Sequence, residues 1–141
     1  MTNSLDIATY ALKRDEGFRS SVYLDTHGHP TVMYGVNLDA SPFTEEEGAL
    51  VLQHRVSSIR LQLFRFPWFA RMGLVRQAVI LNMAYNLGVD GMLKFKKMIA
   101  AIEVEDYREA AAQIMDSKAA RELTPRYTRL SNEMFTNEVV L

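Results

Sequence analysis

Strand signals occur once in this chain of 141 residues, between Ser21 and Val36, and after Pro42 the pattern is helical almost to the end. A chain with one hairpin and a long helical remainder cannot build a parallel sheet or a sandwich, because both need strands spread along the sequence. The hairpin is marked by Ser21-Val22-Tyr23-Leu24 and Thr31-Val32-Met33-Tyr34-Gly35-Val36. These β-branched and aromatic runs flank Asp25-Thr26-His27-Gly28-His29-Pro30, a cluster of turn formers. Before it, Ser4 is placed to cap a helix whose Leu5, Ala8, Ala11 and Leu12 follow helical spacing, with Gly17 as the stop. After it, Thr44-Glu45-Glu46-Glu47 reads as a capping box opening a helix to about Phe64. A further helix spans Leu74 to Leu87 and closes on Gly88, and others are expected near 92–102, 106–117 and 125–135. One hairpin against five or six helices predicts an α+β fold, mostly helical, with its strands segregated near the N-terminus.

Composition narrows the chemistry. The absence of cysteine removes disulfides, zinc–thiolate sites and thiol nucleophiles. With 48% hydrophobic and 23% charged residues, the chain can bury an ordinary core without staples. The longest apolar run, Ala78 to Met83, is broken by Asn82 and is far shorter than the roughly 20 residues of a spanning helix. No insertion into a membrane is therefore expected. The first residues lack a basic-then-apolar layout, so no signal peptide and a cytoplasmic site of synthesis are expected.

The net charge of −1 is unevenly spread. Residues 1–53 carry three basic and eight acidic side chains, residues 54–97 eight and one, and residues 98–141 five and eight. The basic middle suits either an anionic polymer or solvated helix faces balanced by acidic neighbours. No nucleic-acid motif accompanies it, so no nucleic-acid partner is expected. His27 and His29 flank Gly28 without a third ligand at suitable spacing, which predicts neither metal nor cofactor.

Three residues could carry a reaction. Glu16 sits in the last turn of the first helix, where the negative end of the helix dipole makes an unfavourable place for a carboxylate. The same place suits a group that must deliver a proton. Asp25 ends the outgoing strand and Thr31 begins the returning one, so a hairpin folding at His27-Gly28 would bring them side by side. An ionised carboxylate beside a hydroxyl can hold and activate one water, and two carboxyls in different states are the equipment of a glycosidase. Read singly, Glu16 could equally be a surface residue and Asp25 a turn nucleator.

Asp15-Glu16-Gly17, Tyr23-Leu24-Asp25-Thr26, Gly28, and Thr31-Val32 before Gly35 together resemble the phage-type lysozymes of glycoside hydrolase family 24, the T-even phage enzyme among them. The family signature is Glu, eight residues, Asp, five residues, Thr, and Glu16, Asp25 and Thr31 meet both spacings. The similarity continues through Val75 to Gly88, Phe95, Asp106 to Ser117, and Arg126 to Arg129. The resemblance implies a single lysozyme-like domain over 1–141: a small lobe at about 17–45, a linking helix at about 44–64, and a helical lobe at about 65–141 that includes the first helix, 4–16. It implies a muramidase that cuts the β-1,4 bond between N-acetylmuramic acid and N-acetylglucosamine with inversion, substrate lying in a cleft between the lobes.

By the same resemblance Glu16 is the general acid, while Asp25 and Thr31 position the attacking water. Arg126 supports the acid, and Gly35, Asn37, Asn82, Tyr85, Asn86, Met98 and Gln113 contact substrate. The setting implied is a monomeric phage endolysin for host lysis, acting on bacterial peptidoglycan and released to the periplasm or cell wall through a holin pore. For Asn82 a structural role, and for Met98 plain core packing, fit equally well.

The departures concentrate near the hairpin. Met33 stands where relatives have glycine two residues after the threonine, and Ala119 where an aromatic residue is common. Val36 and Arg55 replace both members of a His–Asp pair of the T-even enzyme. Strand alternation would put Thr31, Met33 and Gly35 on one face, so Met33 would narrow a subsite, and Met33→Gly would relax selection at a cost of about 1 kcal/mol. The competing reading is a catalytically impaired peptidoglycan-binding protein on a lysozyme fold, obstructed by Met33.

Overall fold

A computed structural model describes residues 3–141. Its contacts divide the chain into two compact units, one ending at Leu50 and the other comprising Val51–Leu141. The N-terminal unit starts with α1 (Ser4–Glu16), followed by β1 (Arg19–Leu24), β2 (Pro30–Met33) and β3 (Val36–Asn37). The cap of α1 is Asn3 rather than Ser4: the Asn3 side chain accepts the Asp6 N–H at 3.0 Å. Asparagine one residue earlier reaches the third N–H of the helix as well as serine would. Gly17, at φ +67°, stops α1 as expected.

The strands form one antiparallel sheet in the order β1-β2-β3, a hairpin extended by a third short strand. Tyr23 pairs with Thr31 and Leu24 with Pro30, while Thr31 also faces Asn37 across β3. Thr31 is thus in the central strand, and it is buried. The returning run does not continue to Val36 as one strand. Met33 adopts φ +55° and Gly35 φ +69°, so the chain turns through Tyr34-Gly35 and comes back as β3. The single-face alternation of Thr31, Met33 and Gly35 therefore fails, because alternation holds only along unbroken extended backbone.

Helix α2 (Glu45–Leu63) opens on the expected capping box. Glu47 N–H donates to Thr44 Oγ1 at 3.2 Å, and Thr44 N–H donates to Glu47 Oε1 at 3.0 Å. Two donors that no intrahelical carbonyl can satisfy are thereby paired reciprocally.

The second unit is helical: α3 (Pro67–Ala70), α4 (Leu74–Leu87), α5 (Val89–Leu93), α6 (Lys96–Glu103), α7 (Tyr107–Met115), α8 (Lys118–Glu122) and α9 (Thr124–Thr136). The described residues thus hold nine helices in place of the expected five or six, because short turns split the longer runs. Phe66-Pro67 starts a four-residue helix that too short a period conceals, and Phe95 divides the 92–102 stretch. Leu63, Phe69, Ile80, Met83, Ile102 and Tyr127 are among the fully buried side chains of one continuous core. Burying each such side chain favours folding by about 1.5–3 kcal/mol. Gln77 is buried beside them, and its Nε2 donates to the carbonyls of Phe69, Ala70 and Met72, satisfying the C-terminal end of α3. No described helix is long and apolar enough to cross a membrane.

The left-handed backbone at Met33 reverses the sign of one expectation. A side chain at such φ costs roughly 1–2 kcal/mol, more than glycine's extra unfolded-state freedom. Met33→Gly should therefore leave thermal stability unchanged or raise it by up to about 1 kcal/mol, as a melting curve would show. A loss of stability would mean that the Met33 side chain contributes more by packing than its backbone costs.

Candidate active site

The acid candidate is fixed by the backbone around it. Gly17 carries the chain out of α1, and Arg19 pairs in register with Met33 at the far end of β2. Phe18 and Tyr34 meet ring to ring, centroids 5.4 Å apart, which clamps the two segments together. As a result the Glu16 carboxyl lies directly on Gly35: a Cβ built there would stand 2.7 Å from Glu16 Cδ and closer still to Oε2. Gly35 is thus required twice, for its positive φ and for the space that Glu16 occupies.

The other two candidates meet through a third residue. Asp25 lies just beyond β1 in the turn, and Thr31 pairs with Tyr23 rather than with Asp25. Asp25 Oδ1 accepts the N–H groups of His27 at 2.9 Å and His29 at 2.8 Å. Asp25 N–H in turn donates to the His29 carbonyl at 2.9 Å, and Thr31 Oγ1 donates to that same carbonyl at 3.0 Å. The His29 N–H bond holds the Asp25 carboxyl below the ordinary aspartate range, with the His27 N–H and the positive fields of both rings acting the same way and desolvation opposing. The ionised form of Asp25 is accordingly favoured. With its proton engaged on His29, the Thr31 hydroxyl has only lone pairs to offer a further partner.

Asn37 has a local task. Its Oδ1 accepts the N–H groups of Asp39 at 3.0 Å and Ala40 at 3.1 Å, so its amide N–H groups are the part suited to meeting a sugar. The His29 ring, through Nδ1, lies 3.1 Å from Asp39 Oδ2. Sequence reasoning singled out neither Asp39 nor the Phe18–Tyr34 pair. The Asn37 turn was within reach, since asparagine commonly bonds the backbone two residues on. A contact between side chains ten residues apart has no local signal.

The remaining candidates lie in the second unit, in two groups. Asn82, Tyr85 and Arg126 line a pocket of about 410 Å³ with Leu52, Val56 and Leu81. Arg126 Nε donates to Asn82 Oδ1 at 2.8 Å, tying α9 to α4. Asn86, one turn after Asn82, accepts the hydroxyl of buried Tyr127 at 2.9 Å. Burial raises the pKa of that phenol above its ordinary value, while the Arg126 charge opposes the rise. Asn82 and Asn86 therefore both hold α4 to α9. Tyr85 keeps nearly half its surface exposed, as a sugar platform requires.

Met98 and Gln113 line a larger pocket of about 630 Å³ with Phe95, Lys94, Lys118 and Glu122. Met98 is fully buried, so it belongs to the core and to the pocket floor at once. Gln113 Nε2 donates to Glu109 Oε1 at 2.7 Å. Ala119 is on the wall of this pocket, where an aromatic side chain would occupy part of the space. Among the described residues no three metal-ligating side chains are grouped to hold an ion.

A small three-stranded sheet behind a helix that ends in glutamate, followed by a helical body, is the architecture of a lysozyme-type glycosidase. The family model described as phage lysozyme matches residues 13–128, and the chain belongs to that family of glycoside hydrolases. It is also similar to the pre-baseplate central spike protein Gp5 of Enterobacteria phage T4, with 24% identity over 157 aligned positions. The match covers 91% of this chain and 27% of that protein.

The Glu16–Gly35 contact is open to a direct test. Gly35→Ala should displace the Glu16 carboxyl and strain the backbone, lowering wall-cleaving activity at least about 100-fold, as loss of a general acid would. It should also lower stability by about 1–2 kcal/mol, the cost of a side chain at that φ. Turbidity loss of a cell-wall suspension and thermal melting measure the two effects, and an alanine variant with unchanged lysis would refute the contact.

Proposed function

We propose that the protein is a muramidase that hydrolyses the β-1,4 bond between N-acetylmuramic acid and N-acetylglucosamine in peptidoglycan, with inversion. The observation that carries this reading is the shared anchoring of Asp25 and Thr31 on His29, which leaves an ionised carboxylate and a lone-pair-bearing hydroxyl as a fixed acceptor pair. A water donating to both has its oxygen lone pair free to attack the anomeric carbon. As it attacks, Asp25 takes its proton and Glu16 gives one to the departing glycosidic oxygen. Gly35 and Asn37 offer a strand edge to the sugars, and Tyr85 an aromatic face. Membership of the phage lysozyme family supports the substrate class.

The setting we favour is host lysis by a phage endolysin, with release through a holin. The similarity to a spike protein favours a second setting for the same chemistry, wall cutting by a component of the phage particle. The competing reading, a catalytically impaired peptidoglycan-binding protein on the same fold, predicts a parent that binds walls without cutting them.

Zymography on purified cell walls, with appearance of new reducing ends, tests the activity. The parent should clear the gel, and Glu16→Gln should fold normally yet lose at least about 100-fold, because an amide has no proton to give in time. A folded Glu16→Gln protein that clears walls like the parent would sink the assignment.

A further inference from the structure

We propose that His29, held by Asp39, is a positioning residue for the Asp25–Thr31 pair and supplies positive charge beside it. The inference rests on the reading of that pair as the water-holding element. Four contacts make a closed circuit. Thr31 Oγ1 donates to the His29 carbonyl, and the His29 ring meets Asp39 Oδ2. Asp39 N–H is bound by Asn37 Oδ1, and Asn37 faces Thr31 across the β2–β3 ladder. Pro30 adds a fifth tie by accepting the Leu38 N–H at 2.8 Å. The turn that carries Asp25 is thus braced against the segment after β3 through one side-chain contact, that of His29 with Asp39.

The same contact determines the ring's chemistry. Nδ1 meets Asp39 Oδ2, which fixes the orientation of the ring and leaves Nε2 as the nitrogen not engaged by Asp39. The titratable groups around the ring are Asp39, Asp25 and His27, and among the described residues no Lys or Arg side chain is paired with either aspartate. The positive field of the His29 ring favours the ionised form of Asp25 and extends the working range of the enzyme toward low pH. A neutral side chain of the same shape would preserve the brace and forfeit the charge.

Steady-state kinetics on defined peptidoglycan fragments, across pH, separate these roles. His29→Ala and Asp39→Ala should each lower kcat about 3- to 10-fold with KM little changed, the rate equivalent of one hydrogen bond. The double variant should be no slower than the worse single one, because both break one circuit. His29→Asn, whose amide can take the place of Nδ1 and donate to Asp39, should restore most of kcat. In both His29 variants the acid limb of kcat/KM should move up by about a few tenths of a pH unit at low ionic strength, and high salt should erase the difference. A His29→Ala protein with the parent's kcat, or with a lowered kcat but an unmoved acid limb, would overturn the proposal. Asp25→Asn and Thr31→Ala serve as references. If those two remain fully active, the water-holding reading falls; if they are inactive while His29→Ala matches the parent, only the positioning role falls.

Discussion

The Asp25 carboxylate accepting two backbone N–H groups is the interaction on which the N-terminal sheet depends. It closes the turn from Asp25 to His29 and sets where β2 begins, so Tyr23 meets Thr31 and Leu24 meets Pro30. A one-residue slip would send every side chain of β2 to the other face, placing Thr31 away from the turn carbonyl that orients its hydroxyl. The same bonds that build the turn also stabilise the charged form of Asp25. Structure and chemistry therefore draw on one contact, and a substitution at Asp25 disturbs both.

Glu16 is placed by a different device. Its neighbour Gly17 turns the chain, the Phe18–Tyr34 rings close the gap, and Gly35 gives way by having no side chain. The two devices lie at opposite ends of one β1–β2 pairing, Arg19 with Met33 near Glu16 and Leu24 with Pro30 at the Asp25 turn, within a unit of about fifty residues. The register that the Asp25 turn sets therefore also governs the end of the hairpin that Glu16 meets.

Local chemistry was legible in the sequence where one short segment determines the outcome. Gly17 and Gly88 as stops, the Thr44–Glu47 capping box, the limits of α4 and the existence of a hairpin at 25–30 all follow from residues within a turn of one another. Of the residues picked out by the Glu16, Asp25 and Thr31 spacing, Glu16 lies against Gly35, Asp25 in the hairpin turn and Thr31 in β2. What escaped was non-local or conformational. Methionine has no preference for positive φ, so the break after Met33 and the short β3 were invisible. Asn3 and Ser4 are both good caps, and only the folded backbone distinguishes them. The His29–Asp39 contact and the Asn82–Arg126 latch join residues that only tertiary structure makes neighbours.

The central claim is that Asp25 and Thr31 hold a water which attacks as Glu16 protonates the leaving group. The stereochemistry of the first product reports this directly. Proton NMR of a chitin-like or wall-derived oligosaccharide, followed from the first seconds after enzyme addition, distinguishes the anomers before mutarotation mixes them. Direct attack by a held water predicts that the α-anomer appears first and the β-anomer only later. Initial release of the β-anomer would mean that a covalent intermediate or a second displacement intervenes, and would contradict the account.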